Sequence, residues 1–237
     1  SNPRRLITTT TRDLFTLPAN SRQVSSNQRH IHANLATVVN RHLGAPYRRP
    51  PAQHSVTAYA QLQQRLNESE LPLILDSFCG TGHSTAALAQ CYPEHLVVGI
   101  DKSGQRLARH RAQACDNYLL LQADCEDIWQ LLVRDGHRCI RHFLFYPNPW
   151  PKARHLQRRV HGHGSFPLLL QLGGDIMLRS NWQIYVEEFG VAMHLAGRAG
   201  KVGRVPDGPA MTLFEQKYRG SGHPLWQFTA AAPAVTC

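Results

Sequence analysis

Negative charge is scarce in this chain: 16 acids face 26 lysines and arginines over 237 residues, a formal charge of +10. That imbalance favours a polyanionic partner, nucleic acid first, and disfavours a small-molecule substrate. No apolar run approaches the roughly 18 residues of a membrane span. The opening SNPRRLITTTTRD is polar and basic, unlike a signal peptide. The six cysteines, at 79, 91, 115, 125, 139 and 237, include no CxxC pair. Zinc is therefore not expected, and the thiols read as the reduced thiols of a cytoplasmic protein. His161 and His163 form an HxH with glycine at 162 and 164 and no acid or cysteine nearby, so no metal is expected there either. Internal repeats are absent, and low complexity is confined to the Ala-Pro end at 230–235, which is expected to fray.

The most informative stretch is PLILDSFCGTG, residues 72–82. A short apolar run ends in Asp76, a glycine turn follows, and STAALA then takes helical spacing. Strand, glycine turn and helix form the first unit of a nucleotide-binding α/β sheet. Gly80 and Gly82 let a ligand approach backbone where a Cβ would obstruct it. The third glycine of a dinucleotide fingerprint is missing, as is the Gly-Lys-Ser/Thr of a P-loop. Asp101 closes the next apolar run, about 20 residues on, where a carboxylate can accept both ribose hydroxyls. Asp124 follows the third run, with Cys125 after it. Strand-end acids on three successive strands suit an adenosine ligand without pyrophosphate, and S-adenosylmethionine is such a ligand. A Rossmann-like unit for another ligand remains the alternative at this point.

Apolar runs alternate with helical patterns through the rest of the chain. Strands are predicted near 73–77, 96–100, 118–122, 142–146 and 175–179. Helices are predicted near 27–43, 56–66, 83–91, 103–114, 126–134, 152–159, 165–172 and 182–195. Residues 211–214 and 225–228 look strand-like and are expected to form an antiparallel edge. The expected fold is thus α/β and Rossmann-like, a mostly parallel sheet with helices on both faces. Two parts are expected: a basic N-terminal extension with helices over 1–70, and a catalytic domain over 71–237. Residues 1 to about 25 read as a loosely ordered arm. Residues 1–60 hold eight arginines (4, 5, 12, 22, 29, 41, 48 and 49) against the single acid Asp13. Beside a structured core they make a candidate phosphate-binding lip.

A second constellation, YPNPWPK, follows the fourth strand at 146–152, with Arg154, Arg158 and Arg159 beyond it. Pro147 and Pro149 cannot continue a strand, so the chain must turn at the carboxyl edge of the sheet, where ligands bind. Asn148 then sits beside the reacting centre, and Trp150 serves as a stacking surface or a loop anchor. Lys152, Arg154, Arg158 and Arg159 form a phosphate clamp on the helix expected there.

Together these pieces resemble the bacterial tRNA (guanine-N7)-methyltransferase family over about 72–228. PNPWPKARHLQRR is similar to its Pro-Asp-Pro-Trp signature, RSNWQIYVEEF (179–189) to its Thr-Asp-Trp segment, and TLFEQKYRGSGHPLW (212–226) to its Thr-x-Phe-Glu tail. The resemblance implies an S-adenosylmethionine-dependent methyltransferase acting on tRNA without a metal. It implies donor binding by Asp76, Gly80, Gly82, Asp101, Asp124 and Cys125, and Asn148 in the place of the catalytic Asp. Trp150, Lys152, Arg154, Asn181, Thr212 and Glu215 would meet the substrate or complete the pocket. Two family carboxylates are amides here, at 148 and 181. Guanine N7 carries a lone pair at neutral pH, so its methylation needs alignment and no general base. The amides leave open a different base position, such as an adenine edge, and a non-catalytic RNA-binding protein. Whether the chain works alone or as a homodimer is left open as well.

Overall fold

The computed structural model describes residues 21–233. Arg4, Arg5 and Arg12 of the basic lip, most of the expected arm and the last residues of the Ala-Pro end lie outside them.

Five parallel strands make the centre of the sheet: β1 (Leu73–Ser77), β2 (Leu96–Asp101), β3 (Tyr118–Gln122), β4 (Arg141–Phe145) and β5 (Asp175–Ser180). Two more, β6 (Lys201–Arg204) and β7 (Trp226–Ala230), complete it. Both run antiparallel to their neighbours, and the spatial order is β3-β2-β1-β4-β5-β7-β6. Every residue of β1 and β2 is buried, as continuous apolar runs at the centre of a parallel sheet require. The chain winds outward from β1 towards β3 on one side and towards β5 on the other. The order therefore reverses between β1 and β4, and their carboxyl ends flank the crevice where open α/β sheets bind ligands.

Helices α1 (Leu35–Leu43), α2 (Gln53–Glu68), α5 (Cys125–Arg134), α6 (Phe166–Leu172) and α7 (Gln183–Leu195) share the main core with one sheet face. Leu35, Val39, Tyr59 and Leu62 are fully buried in it, so the two N-terminal helices share the core of the sheet. On the other face, α3 (His83–Cys91) sets Leu88 and Ala89 against Ile74, Val97 and Phe143. The single turn α4 (Gly104–Leu107) and α8 (Leu213–Gly220) complete the set.

Four expectations need correction. Residues 211–214 are no strand: Thr212 caps α8, its Oγ1 accepting from Glu215 N–H at 2.9 Å. The antiparallel edge is built by β7 with β6, a short and largely exposed strand that the sequence reading overlooked. The helix of 103–114 stops at Leu107. There Arg109 and His110 tighten into i→i+3 bonds, and His110 Nδ1–H donates to Thr81 O at 2.9 Å. The helix of 27–43 begins only at Leu35, and that of 152–159 is a 3-10 turn, Ala153–Arg158.

Beneath β1 and β4, Trp129 Nε1–H donates to Ser77 Oγ at 3.0 Å, and Ser77 Oγ bonds His142 Nε2 at 2.8 Å. All three are completely buried. Burial pushes the His142 pKa down from 6.5 to about 3. The neutral ring therefore contributes stability that is full above the unfolded value and is lost as pH falls towards 3, by up to about 1.4 kcal/mol per pH unit. Asp76 opposes it: burial, against bonds from Ser84 and Thr85, raises its pKa to about 6, so its stabilising protonated form is lost as pH rises through 6. His142→Gln should flatten the fall of Tm between pH 6.5 and 4 relative to wild type. An unchanged slope in a thermal melt series would remove His142 from this role.

Candidate active site at the carboxyl edge of the sheet

The turn after β1 is held by the acid at the end of β2. Gly80 N–H donates to Asp101 Oδ2 at 3.0 Å, and Ser103 N–H donates to Oδ1 at 2.8 Å. Arg106 Nη2 lies 3.4 Å from Oδ1. Phe78, Gly80 and Gly82 all have positive φ, at 64°, 61° and 76°. For Phe78 that is strain at a ligand-binding edge. At Gly82 it is obligatory, because a Cβ there would also lie 2.6 Å from Leu120 Cδ1.

Asp76 lies fully buried at the floor of this turn. Its Oδ2 accepts from Ser84 Oγ at 2.6 Å and Thr85 Oγ1 at 2.7 Å, whereas Oδ1 has no partner among the described residues. Asp124 precedes α5 and pairs with His54 Nε2 at 3.1 Å. Cys125 is buried, with its Sγ accepting Phe78 N–H at 3.3 Å, and burial pushes its thiol pKa well up. Between the turn and α8 opens a cleft of about 280 Å³, lined by Gly80, Thr81, His83, Arg106, Phe214 and Lys217 among others. Phe214 is 42% exposed, unusual for a ring, and its edge faces Gly80. The resemblance placed the 212–215 segment at the pocket without singling out this ring. The Thr-x-x-Glu of a capping box, Thr212 to Glu215, was the available signal for the helix that places it.

The loop after β4 is equally constrained. Tyr146 and Trp150 have φ of 54° and 45°, rare for bulky side chains. Trp150 N–H donates to Asn148 Oδ1 at 3.3 Å. Asn148 itself is exposed, as are Lys152, Arg154 and Arg158. The Arg158 guanidinium stacks 4.9 Å from the Trp150 ring centre. Asn181 is half-buried just beyond the end of β5. Thr212 and Glu215 are placed differently from these rim residues. Glu215 is completely buried and bonds Arg179 Nη1 at 3.1 and 3.2 Å and Arg219 Nη2 at 2.8 Å.

Residues 70–228 match the sequence profile of a family described as "Putative methyltransferase". The chain belongs to this methyltransferase family. Among curated relatives of this methyltransferase, the tRNA (guanine-N(7)-)-methyltransferase of Acinetobacter baylyi is 28% identical over 181 residues, 70% of this chain and 73% of that protein. The enzyme of the same name from Salmonella typhimurium is 29% identical over 171 residues, 66% and 71% of the two chains. The fold is shared with the 16S rRNA methyltransferase KamB, with a TM-score of 0.53 and 18% identity over 73% of this chain and 94% of that one. It is also shared with the 16S rRNA (adenine(1408)-N(1))-methyltransferase of Catenulisporales acidiphilia solved with its cosubstrate SAM, with a TM-score of 0.51 and 17% identity over 75% and 92%.

In this methyltransferase Arg159 does not join the phosphate clamp. It is completely buried, donating from Nη1 to Glu188 Oε2 at 2.6 Å and from Nε and Nη2 to Trp150 O at 3.2 Å. A 3-10 turn has three residues per revolution, so Leu156 and Arg159 both point inward while Arg154 and Arg158 face water. The HxH is occupied likewise: His161 Nε2–H donates to Glu188 Oε2 at 2.8 Å, and His163 Nδ1 bonds Ser165 Oγ at 2.8 Å. No group of three His, Cys, Asp or Glu side chains arranged to hold a metal occurs among the described residues, and no helix there is long and apolar enough to cross a membrane.

Proposed function

We propose that this methyltransferase methylates guanine N7 in tRNA, in the cytoplasm, with S-adenosylmethionine as donor. One observation carries the reading: Asn148 stands in the loop after β4, at the β1/β4 switch point, with its oxygen held by Trp150 N–H and its amide hydrogens left for a ligand, beside a rim of exposed cations. A backbone N–H can face only an acceptor, so Trp150 N–H fixes which way the amide points. The amide N–H suits an acceptor on the target base, and guanine offers O6 next to N7. The curated relatives support the same choice of base and RNA.

The donor pocket fits the chemistry. When bound, S-adenosylmethionine supplies an electrophilic methyl on a sulfonium. Gly80 would give it Cβ-free backbone at the cleft, Gly82 packs against Leu120 and shapes the turn, and Asp101 would hold the ribose. Asp124 and the Cys125 backbone would border the adenine. Asp76 Oδ1, a buried acceptor without a partner among the described residues, would take the ammonium end. Phe214 and Thr212 on α8 would close the cleft from above. N7 needs no proton removed, so the protein's work is alignment and exclusion of water.

Methyl transfer from labelled donor to unmodified total tRNA, with the nucleoside identified by mass spectrometry, tests the proposal. The expected product is 7-methylguanosine; any other methylated nucleoside refutes the base assignment. Lys152, Arg154 and Arg158 are the exposed cations of the rim. Alanine at each should weaken RNA binding and lower the slope of log Kd against log salt by about 1. Unchanged slopes from a filter-binding titration would place the phosphates elsewhere.

A further inference from the structure

Residues 21–32 cross the outer side of the loop after β4, from α8 to α7. Ser21 bonds Ser221 Oγ, side chain to side chain, at 2.9 Å. Ser26 Oγ–H donates to Pro151 O at 2.6 Å, and Asn27 Oδ1 accepts Ala153 N–H at 3.3 Å. Gln28 Nε2–H donates to Glu188 Oε1 at 2.6 Å while its Oε1 accepts from Arg159 Nη2 at 3.0 Å. His32 N–H ends the crossing on Glu188 Oε1 at 2.9 Å. Glu188, completely buried, therefore collects bonds from the N-terminal segment, from Arg159 and from His161. Arg159 passes the restraint onward to Trp150 O and Lys152 O, the latter at 3.3 Å, and stacks 4.9 Å from the Trp182 ring, next to Asn181.

We infer that Glu188 is a positioning residue: through Arg159 it locks residues 21–32 onto the loop that carries Asn148 and Trp150, and so sets where the acceptor base meets the methyl. The inference rests on the methyl-transfer reading of that loop. Its physical basis is the left-handed backbone at Tyr146 and Trp150, which persists only where surrounding bonds over-determine it. Each oxygen of Glu188 accepts two hydrogen bonds, and its Arg159 pair lies out of water, so one lost member leaves a buried charge without full compensation. Burial alone would raise the carboxyl pKa, yet His161 and Arg159 hold it down at about 2. The carboxylate is thus ionised throughout the range in which the enzyme would be assayed.

Two variants and two readouts test this. Gln28→Ala cuts the strap from Glu188 and Arg159 at a half-buried position, leaving the ion pair itself intact; Glu188→Gln weakens the whole knot. Hydrogen exchange followed by mass spectrometry reads the loop without RNA, and both variants should exchange amides of 148–153 about tenfold faster than wild type. With donor saturating and tRNA varied, kcat should fall about tenfold for each, while donor affinity by calorimetry stays within about twofold of wild type, a few tenths of a kcal/mol. Wild-type loop exchange in a normally melting Gln28→Ala overturns the inference. So does a variant whose Tm and donor affinity fall together with kcat, since that is a merely structural role. Should Glu188→Gln fail to fold, Gln28→Ala decides. Should wild type methylate no tRNA, the functional reading fails while loop exchange still decides whether the strap sets the loop.

Discussion

Asp101→Asn should abolish methyl transfer by removing the donor from the enzyme, weakening donor affinity by about 100-fold or more. Two losses combine. In the protein, the carboxylate accepts Gly80 N–H and Ser103 N–H on separate oxygens. An amide has one oxygen, so its NH₂ must face one of those donors, and the turn that carries Gly80 and Gly82 loses a fixed point. Towards the ligand, the carboxylate would accept both ribose hydroxyls, and an amide would supply half of that. Each charge-assisted bond is worth about 1.5–3 kcal/mol, so two lost bonds reach the 100-fold scale without further assumptions. Asp124→Asn is the natural comparison. Its carboxylate is partly exposed and bonded to the exposed His54, so its loss should cost about tenfold or less. Calorimetric titration with the donor checks both. A donor affinity within about threefold of wild type in Asp101→Asn would mean that Asp101 only shapes the turn.

The strand, glycine turn and helix behind the proposed donor site were legible in the sequence because local rules wrote them. The strand, glycine turn and helix over 73–91 are contiguous, and the three strand-end acids follow directly from finding the strands. What escaped depends on contacts distant along the chain. The apolar spacing of 27–43 predicts one helix, but Gln28 and the His32 N–H are claimed by Glu188 far along the chain, and Ile31 is left 43% exposed. Tertiary bonds outbid local propensity there. Arg159 was grouped with Arg154 and Arg158 because all three are cations at near-helical spacing; only the 3-10 period sorts them, and no residue pattern announces that period. The tail offered Met211, Leu213 and Phe214 as an apolar strand although Thr212 and Glu215 wrote a helix cap, so hydrophobicity was weighted over capping chemistry. β6 is four residues long and mostly exposed, with too little burial to leave a pattern.

Asn148 and Asn181 stand where the resemblance implies carboxylates, and Asn148 decides what that difference means. A carboxylate at 148 would lend negative charge to a base that becomes cationic on methylation. The amide gives up that charge and presents a directed donor, because Trp150 N–H holds Oδ1 within the loop. At the Hoogsteen edge guanine shows acceptors at both O6 and N7, whereas adenine shows an amine donor beside N7. The amide N–H can therefore bond guanine O6 while leaving N7 free for the methyl, and it meets adenine donor to donor. Asn148→Ala should lower kcat/KM for tRNA by about 10- to 100-fold, the scale of one base-reading contact at 1–3 kcal/mol. Asn148→Asp is the sharper experiment. One oxygen still accepts Trp150 N–H, so the loop survives, but the other faces O6, acceptor to acceptor. If direction matters more than charge, Asp should be as poor as Ala, with donor affinity unchanged in both. A rate at or above wild type in Asn148→Asp would show that charge governs this position, and that the asparagine here reads some other base or none.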